Sequence, residues 1–325
     1  MNFLIIDSNA LLHRAYHALP PLQNKNGELL NAVYGFLAIL IKAINEVGPD
    51  FIAAAFDVPG PTFRHISFKE YKAKRKRPPE EFYEQIPKLK EVLSSFNIPI
   101  FEKEGFEADD IIATLVKRIQ KESGVPLQIY IVTGDLDTLQ LVSENVKIYT
   151  LKKGIKDTIF YTPKEVENRF ELSPKQIVDF KTLRGDPSDN IPGVEGIGEK
   201  TARELLKKYR SLAGIYEAIK EDSFSLNTPS QTKKIQDKLI SQKENVYFGK
   251  ALIEVREDVP LKFALEKCSF KKDTRIYRQI EKTLTKLNFY SLISRVKKIF
   301  LGENGRLPQE KTLFSSFNKK QNKFI

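Results

Sequence analysis

Short apolar runs alternate with longer segments of helical period through the first half of the chain. The runs are typical of buried strands and lie at residues 3–6, 51–56, 98–101, 129–132 and 146–150. Apolar positions at helical spacing lie between them, at residues 9–18, 31–46, 81–95, 107–122 and 136–142. Strands that alternate with helices predict an α/β fold with a mainly parallel wound sheet flanked by helices.

The second half of the chain changes to an entirely helical pattern, which is broken at residues 185–187 and 193–198. We therefore predict an α/β domain over residues 1–162 and an all-helical region over residues 163–290. Residues 301–325 are dominated by Gly, Ser, Asn, Gln and Lys. Because this segment offers few apolar side chains for packing, it is predicted to be a flexible basic tail.

Nine carboxylates lie in five short clusters, and in four of these clusters they stand where a strand ends or a helix begins. An open α/β sheet has its ligand crevice at the carboxyl ends of its strands. Acids that meet there repel one another unless cations hold them, and their hard oxygen atoms suit Mg²⁺ or Mn²⁺. A single Asp such as Asp7 also fits a helix N-cap, but nine acids in one context favour a metal site. The nine are Asp7, Asp57, Glu107, Asp109, Asp110, Asp135, Asp137, Asp186 and Asp189.

The overall charge points to a polyanionic partner. The 325 residues include 53 Lys and Arg against 42 Asp and Glu, a net charge of +11, although a lysine-rich surface alone would give the same balance. One cysteine, Cys268, and three histidines exclude a disulfide framework and a zinc site built from Cys or His. No apolar run approaches the ~18 residues of a membrane helix, so we expect a soluble, cytoplasmic protein with no signal peptide and no membrane partner.

A basic stretch from Arg64 to Arg77 follows Asp57 closely. It holds seven Lys or Arg residues and one acid, and Phe63, Phe68 and Tyr71 are interleaved with them. Bases that neutralise phosphates beside aromatics that stack on nucleotides are typical of single-strand binding, whereas a solvated basic loop is the alternative. We predict that residues 58–90 form an arch over the acidic crevice.

A glycine-rich turn follows the last acids and leads into a basic helix. Its glycines are Gly193, Gly196 and Gly198, and the helix begins with Lys200 and Arg203. Backbone N–H groups at such a turn can hold a phosphate without reading base sequence, although an ordinary connection between helices is the alternative. We predict a phosphate clamp beside the metal acids.

These motifs occur in an order that resembles the structure-specific 5′ nucleases. The order is DSNALLHRAYHA, FDVPGPTFRH, EYKAKR, EADD, TGDLD and GDPSDNIPGVEGIGEKTA, and it covers roughly residues 1–290. The similarity is to the 5′→3′ exonuclease domain of bacterial DNA polymerase I and its stand-alone homologues, with the flap endonucleases as the wider group. It implies a PIN-like 5′ nuclease fold and a helix-hairpin-helix element at about residues 185–208.

The resemblance also implies roles for individual residues. The nine acids match the family's metal ligands, with five from Asp7 to Asp110 holding a tighter ion and four from Asp135 to Asp189 a second one. Two Mg²⁺ ions are expected, with Mn²⁺ as a substitute and K⁺ at the helix-hairpin-helix turn. Lys72 and Arg75 match the basic pair of the arch, and Tyr71 a position that stacks near the scissile nucleotide. DNA contacts are expected from Arg14, Tyr16, Arg64, Gly193, Gly196, Gly198, Lys200, Thr201 and Arg203.

The implied function is Mg²⁺-dependent 5′→3′ exonuclease and 5′-flap endonuclease activity in replication and repair, including RNA primer removal and Okazaki fragment processing. Expected substrates are 5′ flaps, nicked or gapped duplex DNA and RNA–DNA primers, acted on by a monomer. The alternatives are an inactive DNA-binding protein of the same fold and a toxin-like or RNA-processing nuclease.

The sequence departs from the family pattern at two places, and its tail contains one further motif. Leu136 stands between two acids where the family often has a basic residue, and nothing after residue 300 resembles a polymerase. Polymerase activity is therefore not expected. The tail segment Gln309–Phe314 weakly resembles a peptide that binds a sliding clamp.

Overall fold

The computed structural model describes residues 1–125, 127–152 and 157–302. The strands are β1 (Asn2–Asp7), β2 (Phe51–Phe56), β3 (Ile100–Glu102), β4 (Gln128–Val132), β5 (Val146–Leu151) and β6 (Thr158–Tyr161). The helices of the first half are α1 (Ser8–Ala18), α2 (Asn31–Val47), α3 (Phe63–Ser67), α4 (Glu80–Tyr83), α5 (Gln85–Ser95) and α6 (Ala108–Glu122). Those of the second half are α7 (Pro163–Phe170), α8 (Ile177–Arg184), α9 (Glu199–Tyr209), α10 (Leu212–Lys220), α11 (Pro229–Ser241), α12 (Lys243–Ile253), α13 (Thr274–Lys286) and α14 (Tyr290–Leu301).

The strands form one sheet in the order β3-β2-β1-β4-β5-β6. Strands β1 to β5 are parallel, and β6 runs antiparallel to β5 at the edge. The strand order reverses between β1 and β4, which places the crevice of such a sheet at the carboxyl ends of these two strands. The predicted mainly parallel α/β sheet is therefore confirmed, and β6 is an addition that the apolar pattern did not indicate.

Both faces of the sheet are covered, which explains why its strands read as continuous apolar runs. Leu4 and Ile6 of β1 point to the side of α2, whereas Phe3 and Ile5 point to the side of α6. Strand β2 is buried at each of its positions. Among the described residues, none of the helices combines the length and the apolar character needed to span a bilayer.

The predicted all-helical region over 163–290 divides into two parts by packing. Helices α8 to α11 share a separate core around Leu183, Leu205 and Leu212. Helices α13 and α14 return to the sheet, where Ile280 and Phe300 join the core that contains α2 and α5. Only the first part therefore forms an independent helical layer beside the α/β domain.

Candidate active site at the carboxyl edge of the sheet

Five of the predicted acids line one crevice of about 600 Å³ at the carboxyl ends of β1, β2 and β4. Lys72 and Arg75 line the same crevice, so acids and bases face one space. Parallel strands bring their ends to one edge, which is why residues far apart in sequence meet here. The five acids are Asp7, Asp57, Glu107, Asp109 and Asp135.

Backbone donors hold two of these acids in place. Asp7 ends β1 and accepts a hydrogen bond from Ala10 N at 3.1 Å, which caps helix α1. Asp57 follows β2 and accepts from Ala108 N at 2.7 Å, at the first residue of α6. Thr133, just after β4, donates to Asp7 Oδ2 at 2.6 Å. The acids are therefore both helix caps and walls of the crevice, so the N-cap interpretation and the metal interpretation are compatible.

Crowding makes these carboxylates hard to ionise together. Burial raises the pKa of Asp7 to about 7, and the neighbouring carboxylates of Asp57 and Asp135 add to the rise against the hydrogen bonds it accepts. Burial also raises the pKa of Asp109 well above its ordinary value, again with repulsion from Asp135 and Asp7. A cation among these oxygens would remove that repulsion.

Three further acids form a second cluster beside the crevice. One carboxylate oxygen from each of Asp137, Asp186 and Asp189 lies within 4.8 Å of the others, a spacing that can hold a metal ion. Asp137 stands in a 3₁₀ turn after β4, and the other two follow helix α8. The donors in both groups are hard carboxylates without His or Cys, which fits Mg²⁺ or Mn²⁺ rather than a softer metal.

Lys181 of helix α8 enters this second cluster, and the sequence-based interpretation did not include it. Its ammonium donates to Asp137 and, at 2.7 Å, to Asp186 Oδ2. Burial raises the pKa of Asp137 to about 7 and repulsion from Asp135 adds to this, while Lys181 opposes the rise. No local pattern identifies it, because a lysine within a helix gives no sign of the direction in which its side chain points.

The arch is fastened to the acids by its charged and hydroxyl groups. Lys72 Nζ donates to Glu107 Oε1 at 2.7 Å, and Arg75 Nη2 donates to Asp189 Oδ1 at 2.5 Å. Burial works against ionisation of Glu107, but Lys72 and Arg64 lower its pKa below the ordinary value. The basic pair therefore bridges the first group of acids and the second.

The backbone of the arch is held as well. Lys72 adopts a positive φ of 55° and its N–H donates to Asp189 O at 3.0 Å. Tyr71 is 3% exposed, and its hydroxyl lies 3.0 Å from both Glu107 Oε2 and Asp189 Oδ2, so its one proton is shared between these two acceptors. The hydroxyl of Tyr71 thus joins the two groups of acids, while its stacking on a nucleotide stays a prediction.

Arg64 and Asp110 do not reach the crevice. Arg64 is 2% exposed and Asp110 is fully buried, and the two form a bidentate ion pair of 2.7 and 2.8 Å. In this structure the guanidinium of Arg64 has no access to a phosphate, so the expected DNA contact of Arg64 finds no support here. Asp110 is separated from the other acids for the same reason, and its place among them passes to Asp135.

Of the two predicted contacts on α1, only Arg14 lines the crevice. Tyr16 packs edge-on against Phe82 with ring centroids 5.3 Å apart, so its ring is partly buried against the hydrophobic core. Asn9 and His13 also line the crevice and were not predicted. Asn9 Oδ1 accepts from Asp57 N at 3.0 Å, which helps to fix that acid.

The glycine-rich turn is closely packed against the end of α8. A Cβ atom on Gly193 would lie 2.3 Å from backbone atoms of Arg184 and Gly185, and Gly196 has a positive φ of 84°. Gly198 caps α9 without close neighbours. Gly193 must be glycine because a side chain would clash with the backbone there. Gly196 must be glycine because its φ is positive.

The basic side chains that follow the turn differ in whether acidic side chains already pair with them. Lys200 is exposed, and Thr201 is half-buried at the start of α9. Arg203 donates to Glu199 at 2.7 Å and to Glu171 at 3.2 Å, so acids already occupy its guanidinium. Lys200 is the more available phosphate partner of the two basic residues.

Comparison with known proteins agrees with this geometry. The family model of the 5′-3′ exonuclease N-terminal resolvase-like domain matches residues 2–171, and that of the 5′-3′ exonuclease C-terminal SAM fold matches residues 172–275. DNA polymerase I of Bacillus subtilis (strain 168) is 37% identical over 317 residues, which are 98% of this chain and 34% of that protein. The chain thus spans about a third of the length of the curated relatives it matches.

Two solved structures share the fold at low sequence identity. The bacteriophage T5 flap endonuclease in complex with DNA and metal ions has a TM-score of 0.63 at 18% identity, covering 92% of this chain and 98% of that one. The catalytic core of Rad2 in complex with a DNA substrate has a TM-score of 0.55 at 16% identity, covering 92% and 91%. The fold of this chain is therefore that of these 5′ nucleases.

The chain belongs to the 5′-3′ exonuclease family. Its helical SAM-like region corresponds to the second family model, and the five acids of its crevice lie within the first.

Proposed function

We propose that this chain is a Mg²⁺-dependent 5′→3′ exonuclease and 5′-flap endonuclease that hydrolyses phosphodiester bonds in DNA at junctions of single strand and duplex. The observation that carries the proposal is the crevice that joins five acids to Lys72 and Arg75. Acids gathered at this density need cations, and bases in the same crevice favour a polyanionic substrate. The biological setting that we propose is replication and repair, with removal of RNA primers and processing of Okazaki fragments.

Two sets of acids are proposed to hold two Mg²⁺ ions, with Mn²⁺ as a substitute. Asp7, Asp57, Glu107, Asp109 and Asp135 would hold the first, and Asp137, Asp186 and Asp189 the second. When bound, such ions activate water as a nucleophile and polarise the phosphodiester. Both donor sets consist of carboxylate oxygens alone, which is the chemistry these ions prefer.

The residues of the arch are proposed to bind and orient the reacting phosphate. Lys72 and Arg75 stand at the acids and would offset the negative charge that develops on the phosphate in the transition state, a contribution of about 3–4 kcal/mol for one well-placed donor. Glu107 and Asp189 hold these two bases in place by ion pairs. The arch would thus deliver positive charge only where the acids are assembled.

The helical region is proposed to hold the duplex part of the substrate. The turn over residues 191–202 presents backbone N–H groups, and the exposed Lys200 adds positive charge. A K⁺ ion at this turn remains part of the proposal, as do nicked, gapped and primer-bearing substrates and a monomeric enzyme. The segment Gln309–Phe314, which resembles a clamp-binding peptide, and the predicted tail lie outside the described residues, apart from residues 301 and 302.

A cleavage assay with Mg²⁺ tests the proposal. Wild-type protein should cut a 5′-flap DNA and leave blunt duplex and single-stranded RNA much less affected. Asp109→Asn should abolish cleavage while duplex binding stays within a few-fold, and Glu266→Gln, an exposed carboxylate elsewhere, should behave as wild type.

Each contrary outcome of this assay has a distinct meaning. Binding without any cutting by the wild-type protein would favour an inactive DNA-binding protein. Preferential cutting of the RNA would favour an RNA-processing nuclease. The same flap assay on a chain truncated after residue 300 would show whether the tail contributes.

A further inference from the structure

A row of hydrogen bonds joins helix α6 to the segment that follows helix α12. We call residues 252–261, which are the last two residues of α12 and the eight that follow it, the return segment, since they lead the chain back toward the sheet. Three α6 side chains spaced four residues apart lie on one helix face and each bonds to the backbone of this segment. The bonds run from Arg256 N to Asp110 at 2.8 Å, from Val259 N to Thr114 at 3.1 Å, and from Arg118 to Leu261 O at 2.9 Å.

The carboxylate of Asp110, the first member of this row, has its acceptor sites filled. Oδ1 accepts from Arg64 Nη2 at 2.8 Å and from Arg256 N at 2.8 Å. Oδ2 accepts from Arg64 Nη1 at 2.7 Å and from Glu107 N at 3.1 Å. An ionised carboxylate offers about four lone-pair positions, and all four are used here by protein donors. Asp110 is also fully buried, so none of its oxygen atoms faces the crevice.

Arg64 uses its remaining donors to connect the same segments. Its Nε donates to Leu252 O at 2.8 Å and its Nη2 to Glu254 O at 3.1 Å, both in the return segment. Its Nη1 also reaches Glu107 Oε2 at 3.3 Å, an acid of the crevice. One guanidinium therefore ties helix α3 of the arch, the start of α6 and the return segment together.

We infer that Asp110 is a positioning residue and not a metal ligand: with Arg64 it fixes the start of α6, and hence Glu107 and Asp109, against the return segment. The inference rests on the proposed function, since it concerns the same acidic site. Helix α12, which leads into the return segment, packs on α8, and α8 leads to Asp186. The buried pair thus holds the two groups of acids in register through the backbone.

Metal counting separates the two roles of an acid. Asp110→Asn should bind the same number of Mn²⁺ ions per chain as the wild-type protein, measured by titration with electron paramagnetic resonance. Asp109→Asn, its neighbour in the crevice, should bind fewer or bind them far more weakly. Loss of one ion in Asp110→Asn, in protein whose circular dichroism matches wild type, would overturn the inference.

A double-mutant cycle with Arg64→Met tests the pair without depending on metal. Asp110→Asn alone removes the closer counter-charge of a buried guanidinium and leaves only Glu107 at 3.3 Å, so it should lower the melting temperature strongly. In the Arg64→Met background the same change should cost much less, because no buried cation remains. Equal effects in both backgrounds would show that Asp110 does not act through Arg64 and would refute the pairing.

Kinetics provide the readout that a purely structural role would not change. Folded Asp110→Asn should lose about 10–100-fold in kcat on a 5′-flap DNA, as is usual for groups that orient metal ligands, with KM within a few-fold. Thr114→Val, which removes another member of the row, should lower the melting temperature with kcat nearly unchanged. An unaltered kcat in Asp110→Asn would contradict positioning.

Failure of the proposed function can be told apart from failure of this inference. A wild-type protein that binds no Mn²⁺ and cuts no flap would contradict the function, while the melting-temperature cycle would still decide whether Arg64 and Asp110 act as a pair.

Discussion

Lys181 places its ammonium 2.7 Å from Oδ2 of Asp186, inside the cluster proposed for the second metal ion. The same ammonium donates to Asp137. Although burial lowers the pKa of Lys181, the two carboxylates raise it overall, so the side chain stays charged at neutral pH. A lysine in this position neutralises the acids and competes with a divalent ion for them.

Replacing this lysine should therefore strengthen metal binding. Lys181→Met removes a charge-assisted contact worth about 1.5 kcal/mol, which corresponds to roughly tenfold tighter Mn²⁺ binding at the second cluster. Isothermal titration calorimetry measures the change. Lys250→Met is the matched control, because Lys250 pairs with Asp179 at 2.8 Å outside the cluster. Unchanged or weaker binding in Lys181→Met would show that the lysine does not compete with the ion.

The arch bases should act on catalysis more than on binding. Lys72→Ala or Arg75→Ala should reduce kcat on a 5′-flap DNA by about 10²–10³-fold, the usual loss when one transition-state donor is removed. Duplex affinity should stay within a few-fold. Lys267→Ala is the control, since this exposed lysine lies far from the crevice. Two residues after it, Ser269 pairs with Phe51 at the amino end of strand β2. A loss confined to affinity would place these bases in substrate binding alone.

Metal stabilisation should increase with pH. The native pKa of Asp7 and of Asp137 is about 7, raised from 3.8. The folded protein therefore binds more protons than the unfolded chain from about pH 4 to about pH 7, and without metal it loses stability as pH rises through this window. A divalent ion binds the ionised carboxylates, so its effect grows over the same window.

We accordingly expect Mg²⁺ to raise the melting temperature more near pH 8 than near pH 5. Differential scanning fluorimetry at both pH values, with and without the ion, measures the difference. Asp7→Asn should reduce the pH dependence of this shift. Equal shifts at the two pH values would contradict the assignment of the raised pKa values to metal-binding acids.

Duplex binding should depend on the exposed base after the glycine-rich turn. Lys200→Ala should weaken binding similarly for all base sequences and reduce the slope of log K against log salt by about 1. Arg203→Ala should have a smaller effect, because Glu199 and Glu171 already occupy its guanidinium. Fluorescence anisotropy at several salt concentrations distinguishes the two. An unchanged salt slope in Lys200→Ala would show that Lys200 does not contact a phosphate.

Two glycines of the turn form a matched pair for a stability test. In Gly193→Ala the new Cβ would lie 2.3 Å from backbone atoms, so we expect a loss of about 1–3 kcal/mol of unfolding free energy from overpacking. Gly198→Ala meets nothing within 4 Å and should cost less. Urea unfolding measures both. Similar losses in the two variants would mean that the close packing around Gly193 is not what requires glycine there.

Much of the sheet could be predicted because burial on both faces leaves a plain signal. Phe51–Phe56 is apolar throughout, and the acid that follows it falls at the carboxyl edge. Strand β6 (Thr158–Tyr161) was missed, since four residues with three only half-buried give no clear run or alternation. The crevice itself followed from where the acids stand relative to the strands.

The sequence could not reveal which acids face the crevice. Asp110 stands three residues after Glu107 and shares its helix face, so spacing predicts one role for both. Its partner Arg64 is 46 residues away, and Arg64 in turn bonds to Leu252 O, 188 residues away. Contacts over such separations leave no local pattern, and Lys181 was missed because nothing in a helical lysine indicates that it points toward Asp137.

Helices α13 and α14 pack back on the sheet, and this determines when the sheet can finish folding during synthesis. Ile280 and Phe300 complete the same core as Leu4 and Ile6, which leave the ribosome first. The sheet therefore cannot close its hydrophobic face until α13 and α14 have been made, after the helical layer has emerged. A nascent chain that stops short of these helices would expose apolar surface, a common route to aggregation.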